Sequence, residues 1–320
     1  MTHFSDFLGG FWVGKSTLLA FFWVESLCMS DFFCTFAPLT TQTYRDMDRR
    51  AYLISVFDDT LERINGDFEL HKAQQQSIAV QKLILEKETL AVPAPRFDEK
   101  AQVLVTKNRS FEAAAQYMEQ HVCVLNFASA TNPGGGVTHG SSAQEECLCR
   151  CSTLYNCLNT RAMWDGFYTP HRRSGNPLHN DDIIFTLNVQ VLKDDDYRPL
   201  VDPFAVDVIT CAAPNLREQP ANPYNPGDGD AKRISKDELY QLHKQRARRI
   251  LTVAAQNEAD VLILGAFGCG AFQNDPQVVA RAYNDVLAEF SHHFRTIEFA
   301  VYCRPHDDSN YRAFKEIIRV

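Results

Sequence analysis

From about residue 101 the chain alternates two kinds of text, and this alternation limits its fold more than any other feature. AQVLVT (101–106), HVCVLNFAS (121–129), ADVLILG (259–265) and TIEFAVYC (296–303) are short apolar runs rich in β-branched residues. Near-continuous runs of this kind suit strands buried on both faces. Between and after them lie SFEAAAQYMEQ (110–120), SKDELYQLHKQRARRILTVAAQN (235–257), a segment from about Pro276 and a closing stretch near Asn310–Ile318, all of which read as helices. DDIIFTLNVQVLKD (181–194) reads as a strand or hairpin and FAVDVITCAAP (204–214) as a further strand. Strands alternating with helices predict a three-layer α/β/α domain on a mixed, largely parallel sheet.

Upstream of that domain, AYLISVFDDTLERI (51–64) and AVQKLILEKETL (79–90) carry apolar positions at helical spacing, and Pro93 and Pro95 end the pattern. The expected organisation is a leader over 1–46, a helical accessory region over 47–100 and the α/β domain over 101–320. The leader contains GGFWVGKS (9–16), which satisfies G-x-x-x-x-G-K-[ST]. Only eight residues precede it, and no Asp-bearing magnesium strand follows, so the motif lacks its strand–loop–helix setting. A signal peptide fits poorly too, because Glu25 interrupts the apolar run and no clean small-x-small site follows. That run is about half of the roughly 20 residues a bilayer requires. An apolar leader without a chemical role is the preferred reading.

Of the 320 residues 45% are apolar, enough for a substantial core, and the formal charge is −8. That balance gives no basic footprint for coating or reading nucleic acid. The ten cysteines have no compact disulfide framework, so reduced thiols in an intracellular protein, cytoplasmic or nuclear, are expected. Cys147, Cys149 and Cys151 form C-x-C-x-C, but i and i+2 point apart on a helix and no further pair completes a zinc set. No histidine belongs to a metal signature.

Two glycine turns follow buried strands: NFASATNPGGG (126–136) and GAFGCGAF (265–272). Ligands of open α/β sheets bind beyond the carboxyl ends of strands, where glycines admit phosphates to main-chain N–H groups. Neither turn has the dinucleotide G-x-G-x-x-G spacing. After seven spacer residues the glycine triplet is followed by Gln144-Glu145-Glu146, which opens a helix. Carboxylates there also simply complement the positive end of the helix dipole. Adjacent helical residues project about 100° apart, so the pair cannot flank a glycosidic bond from opposite sides. A division of labour follows, one carboxylate moving protons and the other holding substrate.

NFASATNPGGGVTHGSSAQEECLCRCSTLYNCL (126–158) resembles the signature of microbial-type poly(ADP-ribose) glycohydrolases, a glycine triplet followed by Gln-Glu-Glu in a macrodomain-like fold. LILGAFGCGAFQNDPQVVARAY (262–283) resembles that family's second loop, and the likeness extends over roughly 47–320. The resemblance implies hydrolysis of ribose–ribose O-glycosidic bonds in poly(ADP-ribose), with Glu146 as acid then base and Glu145 orienting ribose hydroxyls. It implies that Asn132 binds the distal ribose, that Gly134, Gly135 and Gly136 let the loop wrap it, and that Gln144 either sets the start of the helix or contacts substrate. Gly268, Cys269, Gly270 and Ala271 would cradle the diphosphate, with Phe272 on a ribose or base. His139 stands where the family often has a small or polar residue, and a solvated imidazole is preferred to a substrate contact. No metal or other cofactor is implied. The partners implied are poly(ADP-ribose), ADP-ribose and ADP-ribosylated proteins, met by a monomer with no membrane contact. A non-catalytic ADP-ribose reader and a hydrolase of mono-ADP-ribosyl derivatives are the alternatives, and the intact Gln144-Glu145-Glu146 argues against the reader.

Overall fold

Seven strands form one sheet in the order β1-β4-β5-β3-β6-β7-β2. They are β1 (Lys82–Ile84), β2 (Gln102–Thr106), β3 (Val122–Phe127), β4 (Ile183–Lys193), β5 (Pro199–Cys211), β6 (Val261–Leu264) and β7 (Thr296–Ala300). The pairs β5–β3, β3–β6, β6–β7 and β7–β2 are parallel, while β1–β4 and β4–β5 are antiparallel. The expected mixed, largely parallel sheet is therefore present. This computed structural model describes residues 49–222 and 226–319. The P-loop-like motif at 9–16, like the rest of the expected leader, lies outside the described residues.

Period-two side chains feed two cores, one on each face of the sheet. On β3, Cys123 and Leu125 join a cluster with Leu251, Val279, Phe290 and Phe314, whereas Val122 and Val124 join one with Phe57, Phe111, Leu148 and Phe167. The helices α1 (Arg49–Gly66), α2 (Phe68–Val80), α3 (Ser110–Ala114), α4 (Gln144–Cys151), α5 (Leu154–Leu158), α6 (Arg161–Met163), α7 (Thr169–Ser174), α8 (Lys236–Gln256), α9 (Pro276–Leu287) and α10 (Ser309–Ile317) supply the outer layers. The longest, α8, opens with a capping box in which Ser235 and Glu238 satisfy each other's main-chain N–H groups.

One expectation fails. AVQKLILEKETL reads as helix, yet α2 ends at Val80, and Lys82–Ile84 pairs antiparallel with Ile183–Phe185. The open edge of β4 offers a ladder, and Gln81 Nε2 donates to Thr186 Oγ1 at 2.8 Å to fix the approach. Strand pairing here overrides a local helical period. Within the expected accessory region, residues 49–100 thus contribute both helices and the sheet's edge, inside the larger compact unit that begins at Arg49.

β3 and β6 are parallel neighbours, with Val122 opposite Val261 and Val124 opposite Ile263. Their carboxyl ends release the two glycine turns side by side, and β5 delivers Ala212–Asn215 to the same end of the sheet.

Candidate active site

The first turn of α4 carries the two glutamates, and the N-cap position is Ala143, which has no side-chain cap. What holds this helix start is Gln144. Its Oε1 accepts from the Phe127 N–H at 2.9 Å, and its Nε2 donates to Leu125 O at 2.8 Å and Ser110 Oγ at 3.0 Å. One amide thus tethers α4 to the end of β3 and to α3. Of the two expectations for Gln144, setting the helix is the one these bonds describe; its polar atoms face protein.

Glu145 is buried, with Oε2 accepting from the Ser129 N–H at 2.7 Å and Oε1 from Asn126 Nδ2 at 3.2 Å. Glu146 is buried beside it, with Oε1 accepting from the Gly136 N–H at 3.0 Å, while Oε2 has no protein partner. Burial raises the Glu146 carboxyl above its ordinary range, partly offset by the Gly136 N–H and by Arg150 one turn along the helix. Burial, reinforced by the charge of Glu146, raises Glu145 well above its ordinary range, further than Glu146, so the assignment of the proton rests on the hydrogen-bond partners and not on these shifts. Two carboxyls this close in a dry site resist simultaneous ionisation. Glu145 receives two donors, which suit a carboxylate; Glu146 keeps one oxygen unclaimed, which suits a proton.

The glycine triplet makes this approach possible. Gly135 has φ +57°, and a Cβ there would fall 2.6 Å from Glu146 Oε1 and 3.2 Å from Glu145 Oε2. Any side chain would displace the carboxylates. Gly134 packs against Tyr155, and Gly136 supplies the N–H that fixes Glu146. Asn132 sits at the mouth of the turn, its Oδ1 taken by Arg172, whose Nε also donates to Thr131 O at 2.6 Å. A cavity of about 220 Å³ opens here, bounded by Asn132, Gly135, His139, Tyr155, Asn159 and Trp164 among others. His139 is exposed on its rim, with Nδ1 2.9 Å from Thr138 Oγ1.

The second turn is organised by Asn274. Its Nδ2 lies 2.7 Å from Pro214 O, 3.1 Å from Gly268 O and 3.2 Å from Phe272 O, and its Oδ1 lies 2.8 Å from His243 Nε2. Gly268 has φ +76°, and a Cβ there would fall 2.6 Å from that of Ala213. The main-chain N–H groups of Gly270 and Ala271, both exposed, donate to no acceptor among the described residues; that of Cys269 is engaged by Ala266 O at 3.0 Å. Cys269 is therefore a weaker candidate for the cradle than its neighbours. Burial pushes its thiol up, away from nucleophilic use. Phe272 is half-buried, 5.9 Å from the His179 ring and 5.9 Å from the Arg217 guanidinium carbon.

Several supporting residues carry no local sequence signal. His179 bridges Ala213 O (2.8 Å) and Asp228 Oδ1 (2.9 Å), and Asp228 Oδ2 accepts from Asn215 Nδ2 at 2.7 Å, joining three separate loops. Arg172 and Trp164 likewise reach the site only through the fold. Asn126 did leave a trace, as the one amide in the apolar run HVCVLNF. The described cysteines are free thiols. Among the described residues no cluster of three or more His, Cys, Asp or Glu is placed to hold a metal, and no helix is long and apolar enough to cross a membrane.

Residues 54–194 match the family model described as the microbial-type PARG catalytic domain. Among solved structures, poly(ADP-ribose) glycohydrolase from Thermomonospora curvata is 29% identical with a TM-score of 0.72, covering 83% of this chain and 99% of its own. The same enzyme bound to the inhibitor ADP-HPD gives 28% and 0.70, with the same coverage. The Deinococcus radiodurans enzyme in complex with ADP-ribose is 31% identical with a TM-score of 0.65, covering 76% of this chain and 95% of its own. No curated protein matches the chain.

Proposed function

The chain belongs to the microbial-type poly(ADP-ribose) glycohydrolase family, and we propose on that premise that it hydrolyses the ribose–ribose O-glycosidic bonds of poly(ADP-ribose) and releases ADP-ribose. Glu146 protonates the bridging oxygen as the bond to the anomeric carbon of the terminal ribose breaks. The leaving ribose departs as a neutral alcohol, and the anomeric carbon passes through an oxocarbenium-like state. The same carboxylate, now ionised, takes a proton from the attacking water, and the proton balance closes with one water consumed.

The observation that carries this reading is the state of Glu146: one oxygen is fixed by the Gly136 N–H, and the other is buried without a protein partner. That is how a carboxyl held to donate one proton is arranged. Glu145, pinned by Ser129 and Asn126, orients ribose hydroxyls, while Asn132 and the glycine triplet receive the distal ribose. Gly268–Phe272 lies against the diphosphate and Phe272 against a ribose or base. The polymer arrives on ADP-ribosylated proteins. A single chain is sufficient, because both carboxylates and both turns come from it.

The test is release of ADP-ribose from poly(ADP-ribose) by wild type and by Glu146→Gln, with ADP-ribose binding measured in parallel. Loss of a general acid–base residue lowers turnover by about 10²–10⁴-fold, and binding should survive. Binding without release by wild type would identify a reader instead.

A further inference from the structure

Arg150 lies one helical turn beyond Glu146 on α4 and is fully buried. Its Nε donates to Leu53 O at 3.0 Å, its Nη2 donates to Ser141 O, and its Nη1 has no protein partner. Both bonds go to main-chain carbonyls and neither to a carboxylate. We propose that Arg150 is a positioning residue for the general acid: its fixed charge is the counterpart of the carboxylate that Glu146 becomes on giving up its proton, and its bonds hold the turn that aims Glu146. The inference rests on the reading of the protein as a poly(ADP-ribose) glycohydrolase and deepens it by naming what lets a carboxyl ionise in a dry site.

The contacts form a closed ring. Ser141, whose carbonyl Arg150 holds, donates its own N–H to Gly136 O at 3.1 Å, and the Gly136 N–H fixes Glu146 Oε1 at 3.0 Å. Glu146 and Arg150 are joined in turn by α4 itself, because residues i and i+4 share one face of a helix. From outside the ring α1 braces it, with Leu53 O on the guanidinium and Thr60 Oγ1 donating to Arg150 O. Loss of the side chain releases the Ser141 carbonyl and loosens the residue that fixes Glu146.

Burying a guanidinium without an ionic partner is unfavourable. In the last turn of α4 a cation complements the helix dipole, but an exposed lysine would do so without burial. The gain comes during turnover. As Glu146 protonates the bridging oxygen, a carboxylate appears in the same dry compartment as a permanent cation, and their attraction grows as the proton leaves. An interaction that strengthens along the reaction lowers the barrier. The neighbouring groups leave this role to Arg150. Glu145, adjacent on α4, has the same sign as ionised Glu146. Lys193 of β4 is matched with Asp59 of α1 at 2.6 Å, and Arg109, before α3, with Asp196 at 3.3 Å. Asp195, in the turn after β4, takes the Glu112 N–H at 2.7 Å. Burial pushes up the thiols of Cys147, Cys149 and Cys151 and the Tyr197 phenol, whose ring centroid lies 5.9 Å from the guanidinium carbon.

Arg150→Gln and Arg150→Lys separate the charge from the bonds. Ionisation of Glu146 is read by infrared difference titration, as the carboxyl band that Glu146→Gln lacks, and by the pH profile of kcat on poly(ADP-ribose). A nearby opposite charge lowers a carboxyl by about 1–3 pH units. Arg150→Gln should therefore raise the titration midpoint and the basic limb of kcat by about 1 pH unit or more. The acid then gives up its proton less readily, and kcat should fall by about 10-fold or more. Arg150→Lys should leave midpoint and limb where wild type has them, whatever a lost carbonyl bond does to kcat. A fall in kcat with neither displaced would overturn the assignment and leave Arg150 a structural tie; an equal displacement in Arg150→Lys would overturn it as well. If Arg150→Gln does not fold, Arg150→Met, which leaves no polar atom to bury, makes the same comparison. The infrared midpoint needs no turnover, so a wild type that releases no ADP-ribose refutes the glycohydrolase reading while the charge of Arg150 is still tested on Glu146.

Discussion

Replacing Gly135 by alanine probes the contact on which the site depends. The residue sits at φ +57°, where an L side chain costs about 1–2 kcal/mol. The new methyl would arrive 2.6 Å from Glu146 Oε1, where ordinary contact begins at 3.4 Å, so the carboxylate must retreat by about 0.8 Å. A retreat of that size stretches the 3.0 Å bond from the Gly136 N–H and turns the free oxygen away from its target. Misplacement of a reacting group by about 1 Å costs about 100-fold in rate. The expected outcome is a folded protein whose kcat for ADP-ribose release falls about 100-fold. Its unfolding temperature should fall by about 2–8 °C, from 1–2 kcal/mol at about 2–4 °C each for a chain of this size. Initial-rate assays on poly(ADP-ribose) with thermal unfolding of the same preparations give both numbers. A variant within threefold of wild-type kcat would refute the claim that Gly135 is there to let the carboxylates close in.

The pH dependence follows from the same burial. Because the Glu146 carboxyl is raised above 4.5, the acid form persists into higher pH, and kcat/KM should fall as pH rises through that raised value. The stability contribution of a group raised in the folded state is fully present below its unfolded value and is lost as pH rises through the folded one. Glu146→Gln should therefore gain unfolding temperature relative to wild type at pH 8 compared with pH 4, and an unchanged difference would contradict the burial argument. Gln144→Ala should lower the unfolding temperature by several degrees and reduce kcat with little change in ADP-ribose Kd. It leaves the Phe127 N–H and Leu125 O without partners, at about 1–3 kcal/mol each if they stay dry; a Kd that weakens in step with kcat would point to a substrate contact instead.

The sheet was legible because its central strands are buried on both faces. HVCVLNF and ADVLILG can be little else, and the antiparallel arm of β4 and β5 announced itself through alternating β-branched residues. Lys82–Ile84 was not legible, since only the waiting edge of β4 distinguishes it from helix. The same divide runs through the site. Glycines and glutamates at fixed spacing on one continuous segment are local, so they can be read in a line of text. Gln144 can be placed in the helix from sequence, but its partners Phe127, Leu125 and Ser110 lie 17, 19 and 34 residues away. Arg172 meets Asn132 across 40 residues, and His179 meets Asp228 across 49. Such contacts exist only after the chain has closed on itself.

Asn274 joins both sides of the second turn through one amide, with Pro214, Gly268 and Phe272 on its nitrogen and His243 on its oxygen. The turn is consequently a mould whose shape is set by its own bonds. Little main-chain freedom remains to be lost on association, so affinity follows from fit more than from ordering. Exchange of the turn's amides that are already bonded should change little when a ligand binds, whereas the N–H groups of Gly270 and Ala271, which have no acceptor among the described residues, should slow.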